Sequence, residues 1–269
     1  MFDLLAINPI AFSLGPLEVR WYGIIIAVGI VLAFFVVQKE MVKRGMHPDL
    51  LTDLLIWAVP ISIVSARIYY VVFSWDYYKD HPGQIIQIWE GGIAIHGALI
   101  GAFITTYVYT KRRGISFWKT VDIAAAGLLI GQLIGRWGNF MNQEAHGGPV
   151  SEKFLETTII PDWIMNQMTI EGVTYHPTFL YESMWNIVGL IIIILLRKVN
   201  MKRGELFLFY LVWYSAGRFF IEGMRTDSLY VIGELRAAQL VSVVTIVAAL
   251  VIFIVRRFVR KVDVKYQDK

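Results

Sequence analysis

Six ionisable side chains stand inside otherwise apolar stretches of this sequence: Arg67, His96, Arg136, Glu182, Arg218 and Glu222. A charge near the middle of a bilayer-length helix costs about 2.5 kcal/mol or more, so each needs a partner or a task. Around residue 220, Tyr214, Arg218, Glu222 and Arg225 recur at i, i+4, i+8 and i+11 and would share one helical stripe. The forked donors of arginine match phosphate oxygens, so three arginines with one histidine and few acids suit an anion, most simply a lipid phosphate. No apolar stretch holds the grouped carboxylates that metal-dependent phosphoryl chemistry wants, which predicts no metal and no cofactor. The chain has no cysteine, so any thiol chemistry must use a substrate's sulfur. Blander readings stand beside these: Arg218 and Glu222 as a snorkelling i, i+4 ion pair, His96 as an interhelical hydrogen-bonder, Arg67 as a purely structural group.

The elements that must position these residues follow from composition. With 57% hydrophobic and 17% charged residues, the 269-residue chain is too apolar for an ordinary soluble domain. Apolar runs long enough to cross about 30 Å of hydrocarbon recur near Trp21 to Gln38, Leu51 to Phe73, Gly92 to Thr110, Trp118 to Trp137, Phe179 to Leu196, Leu206 to Ile221 and Ala237 to Val255. This predicts an all-α membrane protein with seven transmembrane helices, a single polytopic membrane domain over residues 1–269. The long segment 138–178, between helices four and five, is polar and rich in Gly and Pro. Basic clusters alternate: Lys39, Lys43 and Arg44, then Lys111, Arg112 and Arg113, then Arg197, Lys198, Lys202 and Arg203, then Arg256, Arg257, Arg260 and Lys261. The positive-inside rule then places the N-terminus outside, the C-terminus in the cytoplasm and 138–178 on the external side.

The net charge of +4 is accounted for by these clusters, which argues against nucleic acid as a partner. Tyr and Trp near the span ends, such as Trp21, Tyr22, Trp118 and Trp137, fit interfacial anchoring. The first apolar run has neither a basic start nor a small-residue cleavage site, so the N-terminus is expected to be retained. Counted along the spans, the six costly groups fall toward the external leaflet, while the cytoplasmic half holds little besides Asp53 and Asp122 near its boundary. A transporter would want polar groups in both halves. A retinal photosensor would want a lysine deep within a span, and the one lysine inside any of these runs, Lys119, stands at its cytoplasmic start. An intramembrane protease would want a Gly-x-Ser-Gly motif or a paired aspartate site, and neither is present.

Four segments in order carry a family resemblance. Gly135-Arg136-Trp137-Gly138-Asn139-Phe140-Met141-Asn142 resembles the signature of bacterial prolipoprotein diacylglyceryl transferases. Ile95-His96-Gly97-Ala98-Leu99, His176-Pro177-Thr178-Phe179-Leu180-Tyr181-Glu182 and Gly217-Arg218-Phe219-Phe220-Ile221-Glu222 with Arg225 support it. Ala98 departs from the pattern, which commonly has a second glycine after the histidine.

The resemblance covers essentially the whole chain and implies a multi-pass enzyme of the bacterial cytoplasmic membrane. Such an enzyme moves the diacylglyceryl group of phosphatidylglycerol onto the lipobox cysteine of a prolipoprotein signal peptide, with other membrane lipids around it. It further implies His96, Arg136 and Arg218 as catalytic residues, with His96 the base and the arginines stabilising the leaving phosphate. Asn139, Glu144 and Gly147 would belong to the same region as Arg136, and Tyr22, Tyr214, Glu222 and Arg225 would shape or gate it.

Overall fold

The computed structural model describes residues 7–227, 230–232 and 235–268. Among these, seven helices reach 18 residues or more: α1 (Trp21–Lys43), α2 (Leu50–Phe73), α4 (Ile95–Arg112), α5 (Phe117–Met141), α8 (Thr178–Val199), α9 (Glu205–Glu222) and α10 (Ala237–Ile254). Short helices α3 (Trp75–Tyr78), α6 (Glu152–Thr157) and α7 (Asp162–Gln167) lie between them. Three two-stranded antiparallel hairpins complete the described fold: β1 (Ile10–Leu14) with β2 (Leu17–Arg20), β3 (Thr169–Ile170) with β4 (Val173–Thr174), and β5 (Tyr230–Ile232) with β6 (Leu235–Arg236).

The long helices fall on the apolar runs. Five segments, Trp21–Lys43, Leu50–Phe73, Phe117–Met141, Thr178–Val199 and Ala237–Val259, are long and apolar enough to cross a membrane, which makes this a mostly helical, multi-pass membrane protein. Helices α4 and α9 are 18 residues each and more polar: α4 ends in Lys111 and Arg112, and α9 carries Glu205, Arg218 and Glu222. Helix α4 starts at Ile95 and not at Gly92, because Gly91 and Gly92 hold φ of 91° and 69°, a left-handed bend that no helix can absorb.

The chain divides into two compact units, residues 38–120 and the remainder. In the 38–120 unit, α2 and α4 approach closely at two glycines of α4. A Cβ on Gly97 would come within 2.5 Å of the Ser65 carbonyl oxygen, and one on Gly101 within 2.6 Å of the Ser65 hydroxyl. Small residues spaced in this way let helices pack where no hydrophobic effect drives them together. At the start of α4, His96 is exposed, with its ring 6.1 Å from that of Tyr69. Arg67 of α2 is buried, and its guanidinium donates to the carbonyls of Gln84 (2.6 Å), Ile85, Gly91 and Gly92 (2.8 Å each). Every one of these acceptors is main chain, so Arg67 holds the segment between α3 and α4 in place. At the other end of α2, Asp53 accepts from Tyr109 Oη and Arg113.

In the other unit, α8 and α9 are locked by a reciprocal clasp. Trp185 and Trp213 stack with centroids 4.4 Å apart, and each indole N–H donates to the other's carbonyl at 2.9 and 3.0 Å. The rings fit because glycines face them: a Cβ on Gly189 would meet Trp213, and one on Gly217 would meet Trp185, each at 2.4 Å. The Ser183 hydroxyl ties α8 to α5 by donating to the Leu133 carbonyl at 3.1 Å. The Asp122 carboxylate accepts from the backbone N–H of Gly204 (2.5 Å) and Phe207 (2.8 Å), where α9 begins and its first amides lack helical partners. This buried aspartate therefore has a structural task. The segment after α5 also has a core of its own, with Phe140, Ile164, Met168 and Phe179 packed together beneath Trp137 and Tyr175.

Candidate functional site

Three segments of the larger unit bring polar side chains to one place: the last turns of α5, the first turn of α8 and the last turn of α9. The register of α8 and α9 follows from the indole clasp one turn further in, which sets Glu182 of α8 beside Arg218 of α9. Glu182 Oε1 accepts from Arg218 Nη1 at 2.8 Å, while its Oε2 is ion-paired with Arg136 Nε of α5. Arg218 Nη2 lies 2.5 Å from Glu222 Oε2. The result is an alternating chain, Arg136, Glu182, Arg218, Glu222, in which both carboxylates are buried and both arginines nearly so.

The chain continues outward from Arg136. Asn139 turns its amide oxygen to Arg136 Nη1 (3.4 Å) and donates through its amide nitrogen to Glu144 Oε1 at 2.8 Å. Tyr22 of α1 packs on α5 where Gly138 leaves room, since a Cβ there would lie 2.7 Å from the ring. On α9, Tyr214 stacks on Tyr210 (6.1 Å), whose hydroxyl accepts from Gln132 Nε2 of α5.

Arg225 arrives by another route. The stripe Tyr214, Arg218, Glu222 is helical as expected, but α9 ends at Glu222, and tight turns through Gly223 and Met224 carry Arg225 off it. It then pairs as an antiparallel bridge with Gly147, flanked by the bond from Gly148 N–H to the Met224 carbonyl at 3.1 Å. Gly147 is required by crowding: a Cβ would sit 2.8 Å from His176 Cβ and 3.3 Å from the Met224 carbonyl oxygen. Its own N–H donates to the His176 carbonyl at 2.9 Å. Burial lowers the His176 imidazole below its ordinary value. Burial also works against the Arg225 charge, but hydrogen bonding and attraction from Asp227, with Glu222 and Glu182 behind it, more than offset that and hold its pKa above the ordinary value.

These groups border a narrow cleft lined by Arg136, Asn139, Glu182 and Arg225 on its polar side and by Ala145, Thr178 and Phe179 elsewhere. The Thr178 hydroxyl fastens its rim by donating to the Ala145 carbonyl at 2.5 Å. The Arg136 guanidinium from α5 and that of Arg225 from the turn after α9 line the same narrow space, with Arg218 bonded to Glu182 behind it, and the apolar walls raise the strength of their field. Donors arranged in this way can pair with an anion and stabilise charge developing on it once the cleft, closed here to even a water-sized group, opens to admit one. Among the described residues, no three His, Asp or Glu side chains gather as a metal-ligand set.

Arg136, Arg218, Glu222, Asn139, Glu144, Gly147 and Arg225 therefore stand together, with Tyr214 about one turn from Arg218 on α9 and Tyr22 of α1 packed on α5 at Gly138. His96 belongs to the 38–120 unit. The picture of arginines with few acids gives way to a nearly balanced network, because Glu182 and Glu222 answer Arg136 and Arg218. Sequence reasoning marked Glu182 as costly but gave it no task. Its signal is in the sequence: an acid near the start of an apolar run, in a chain with two arginines at similar depth in other runs.

The family model for prolipoprotein diacylglyceryl transferase matches residues 9–255. Curated relatives named phosphatidylglycerol–prolipoprotein diacylglyceryl transferase include one from Lysinibacillus sphaericus, 64% identical, with 98% of each chain covered. Others are from Bacillus velezensis, 58% identical over 97% of each chain, and Geobacillus kaustophilus, 55% identical over 98% of this chain and 97% of the relative.

Proposed function

The chain belongs to the prolipoprotein diacylglyceryl transferase family, and from that premise we propose how it works: it transfers the diacylglyceryl group of phosphatidylglycerol to the thiol of a prolipoprotein's lipobox cysteine. A thioether forms, glycerol phosphate is released, and the modified precursor has taken the first step of lipoprotein maturation. The observation that carries the site assignment is the Glu182 bridge, which lines a narrow cleft together with Arg136 and holds the guanidinium of Arg218 against the same carboxylate.

The substrate thiol gives up its proton, and sulfur attacks the glycerol CH2 carbon bearing the phosphate ester. The carbon–oxygen bond breaks, and its electron pair leaves with the phosphate. Phosphorus is not attacked. A diester monoanion becomes a monoester dianion, so negative charge grows on the leaving group, where Arg136 and Arg218 stabilise it. A free cysteine thiol has a pKa near 8.5, so a base raises its thiolate fraction at neutral pH, and the resemblance gives that task to His96. Asn139 and Glu144 orient Arg136. Glu222 orients Arg218. Gly147, Arg225, Tyr22 and Tyr214 shape the substrate's seat.

We read all seven long helices as membrane crossings, α4 and α9 being the polar ones, in one domain over 1–269 of the bacterial cytoplasmic membrane. The N-terminus and the 138–178 segment lie outside and the C-terminus in the cytoplasm, which puts the site where an exported cysteine and outer-leaflet lipid meet. The test is direct: purified protein with phosphatidylglycerol and a lipobox peptide, read by mass spectrometry for thioether-linked diacylglycerol. Transfer of a whole phosphatidyl group would sink attack at carbon.

A further inference from the structure

Arg225 lines the cleft, yet its fork is already occupied. Its Nε donates to Asp227 Oδ1 at 2.9 Å and its Nη2 to Asp227 Oδ2 at 2.6 Å, a two-point pairing of the geometry that guanidinium also offers a phosphate. The two partners are held unequally. The Arg225 side chain is 13% exposed, whereas that of Asp227 is 50% exposed. The main chain of Arg225 is fastened on several sides, by the bridge to Gly147, by its N–H to the Glu222 carbonyl at 3.2 Å, and by Arg236 Nη1 donating to its carbonyl at 2.9 Å. Asp227 sits two residues on, in an open turn.

We infer that Asp227 is a resident counter-anion, competing with the substrate's phosphate for the Arg225 fork and hastening departure of the phosphorylated product. This rests on the function proposed above. Carboxylate and phosphate would exchange on one donor pair without leaving the guanidinium unpaired at any stage. Asp227, turned out, meets water at little cost because it is already half exposed. Glu182 and Glu222 cannot act in this way, since removing either from its arginine would strand a buried charge. Hydrogen bonding from Arg225 holds the Asp227 carboxyl below its ordinary value, so the competitor stays ionised at neutral pH.

The experiment compares the intact protein with Asp227→Asn in lipid nanodiscs. Glycerol phosphate binding is measured by calorimetry without turnover, and the KM for phosphatidylglycerol is measured with a lipobox peptide. An ion pair open to water on its carboxylate side is worth a factor of about two to five, so the variant should bind glycerol phosphate two- to fivefold more tightly, with KM falling alongside. The gain should vanish in an Arg225→Lys background, where a lysine cannot form the fork. Weaker binding in Asp227→Asn would mean that Asp227 orients Arg225 for the substrate, and unchanged binding that it does neither; both overturn the inference. Parent protein that binds glycerol phosphate but never lipidates the peptide counts against the proposed function instead.

Discussion

Arg67 and the pair Arg136 and Arg218 are the same residue type at the same sequence-level cost, and they end in opposite circumstances. Arg67 gives its donors to four main-chain carbonyls of one loop, with Tyr78 beneath the guanidinium. Arg136 and Arg218 give theirs to carboxylates, and the one they share, Glu182, lines a cleft. A carbonyl cage takes up four of the five guanidinium N–H donors without cancelling the charge, and leaves little to recruit a ligand. A carboxylate bridge keeps two cations close together at low net charge, and a field directed at a cleft remains. The role of a buried arginine is thus read from what its donors touch, not from its depth.

The contrast breaks first on activity. Arg136→Ala or Arg218→Ala should lower kcat in the lipidation assay by about 10²- to 10³-fold, the usual cost of removing a donor to a developing oxyanion. The protein should still reach the membrane, because Glu182 keeps one partner in each case. Arg67→Ala should do the reverse. It strands several carbonyls and should cost about 3 kcal/mol of stability, seen as earlier unfolding in a detergent titration, with kcat per folded molecule within about twofold of the parent. If Arg67→Ala abolishes transfer in protein that is still folded, the distinction fails.

Glu222→Gln sharpens the comparison from the acid side. It removes the outer carboxylate of the chain but leaves the Glu182 bridge, so a loss of about tenfold in kcat, smaller than for either arginine, is expected. A still smaller effect comes from His176. Its folded pKa lies below the ordinary value of about 6.5, so the unfolded chain binds the extra proton more readily. Its contribution is full above that value and is lost as pH falls through it. His176→Gln should flatten this acid limb of the stability profile, measured as melting temperature from pH 7.5 down to 5.

Much of this was legible beforehand, and what was missed has a common cause. Helix positions could be read because apolar length is a local property, and the end of α4 nearest Gly92 was misjudged only where two glycines adopt positive φ. The arginines stood out because charge in a greasy run is conspicuous. Which partner each arginine takes depends on how α8 is rotated against α5 and α9, and that depends on indole and serine contacts far apart in sequence. Carbonyl partners such as those of Arg67 carry no side-chain signature at all. Gly147 is implied by the family resemblance, but its reason, the crowding of His176 and Met224, appears only once two distant loops are paired. Arg225 was placed on a helical stripe because spacing alone cannot announce that a helix has stopped.

The Trp185 and Trp213 pair also gives the molecule a built-in gauge. Two indoles stacked 4.4 Å apart are close enough to couple their electronic transitions, and wherever those transitions are skewed within the ring planes a paired circular dichroism signal is expected that neither ring would give alone. Sliding α8 along α9 by even part of a turn would erase that signal before any helix content was lost. An optical reading on unlabelled protein therefore reports whether the two helices remain in step, and so whether the distant charges can still meet.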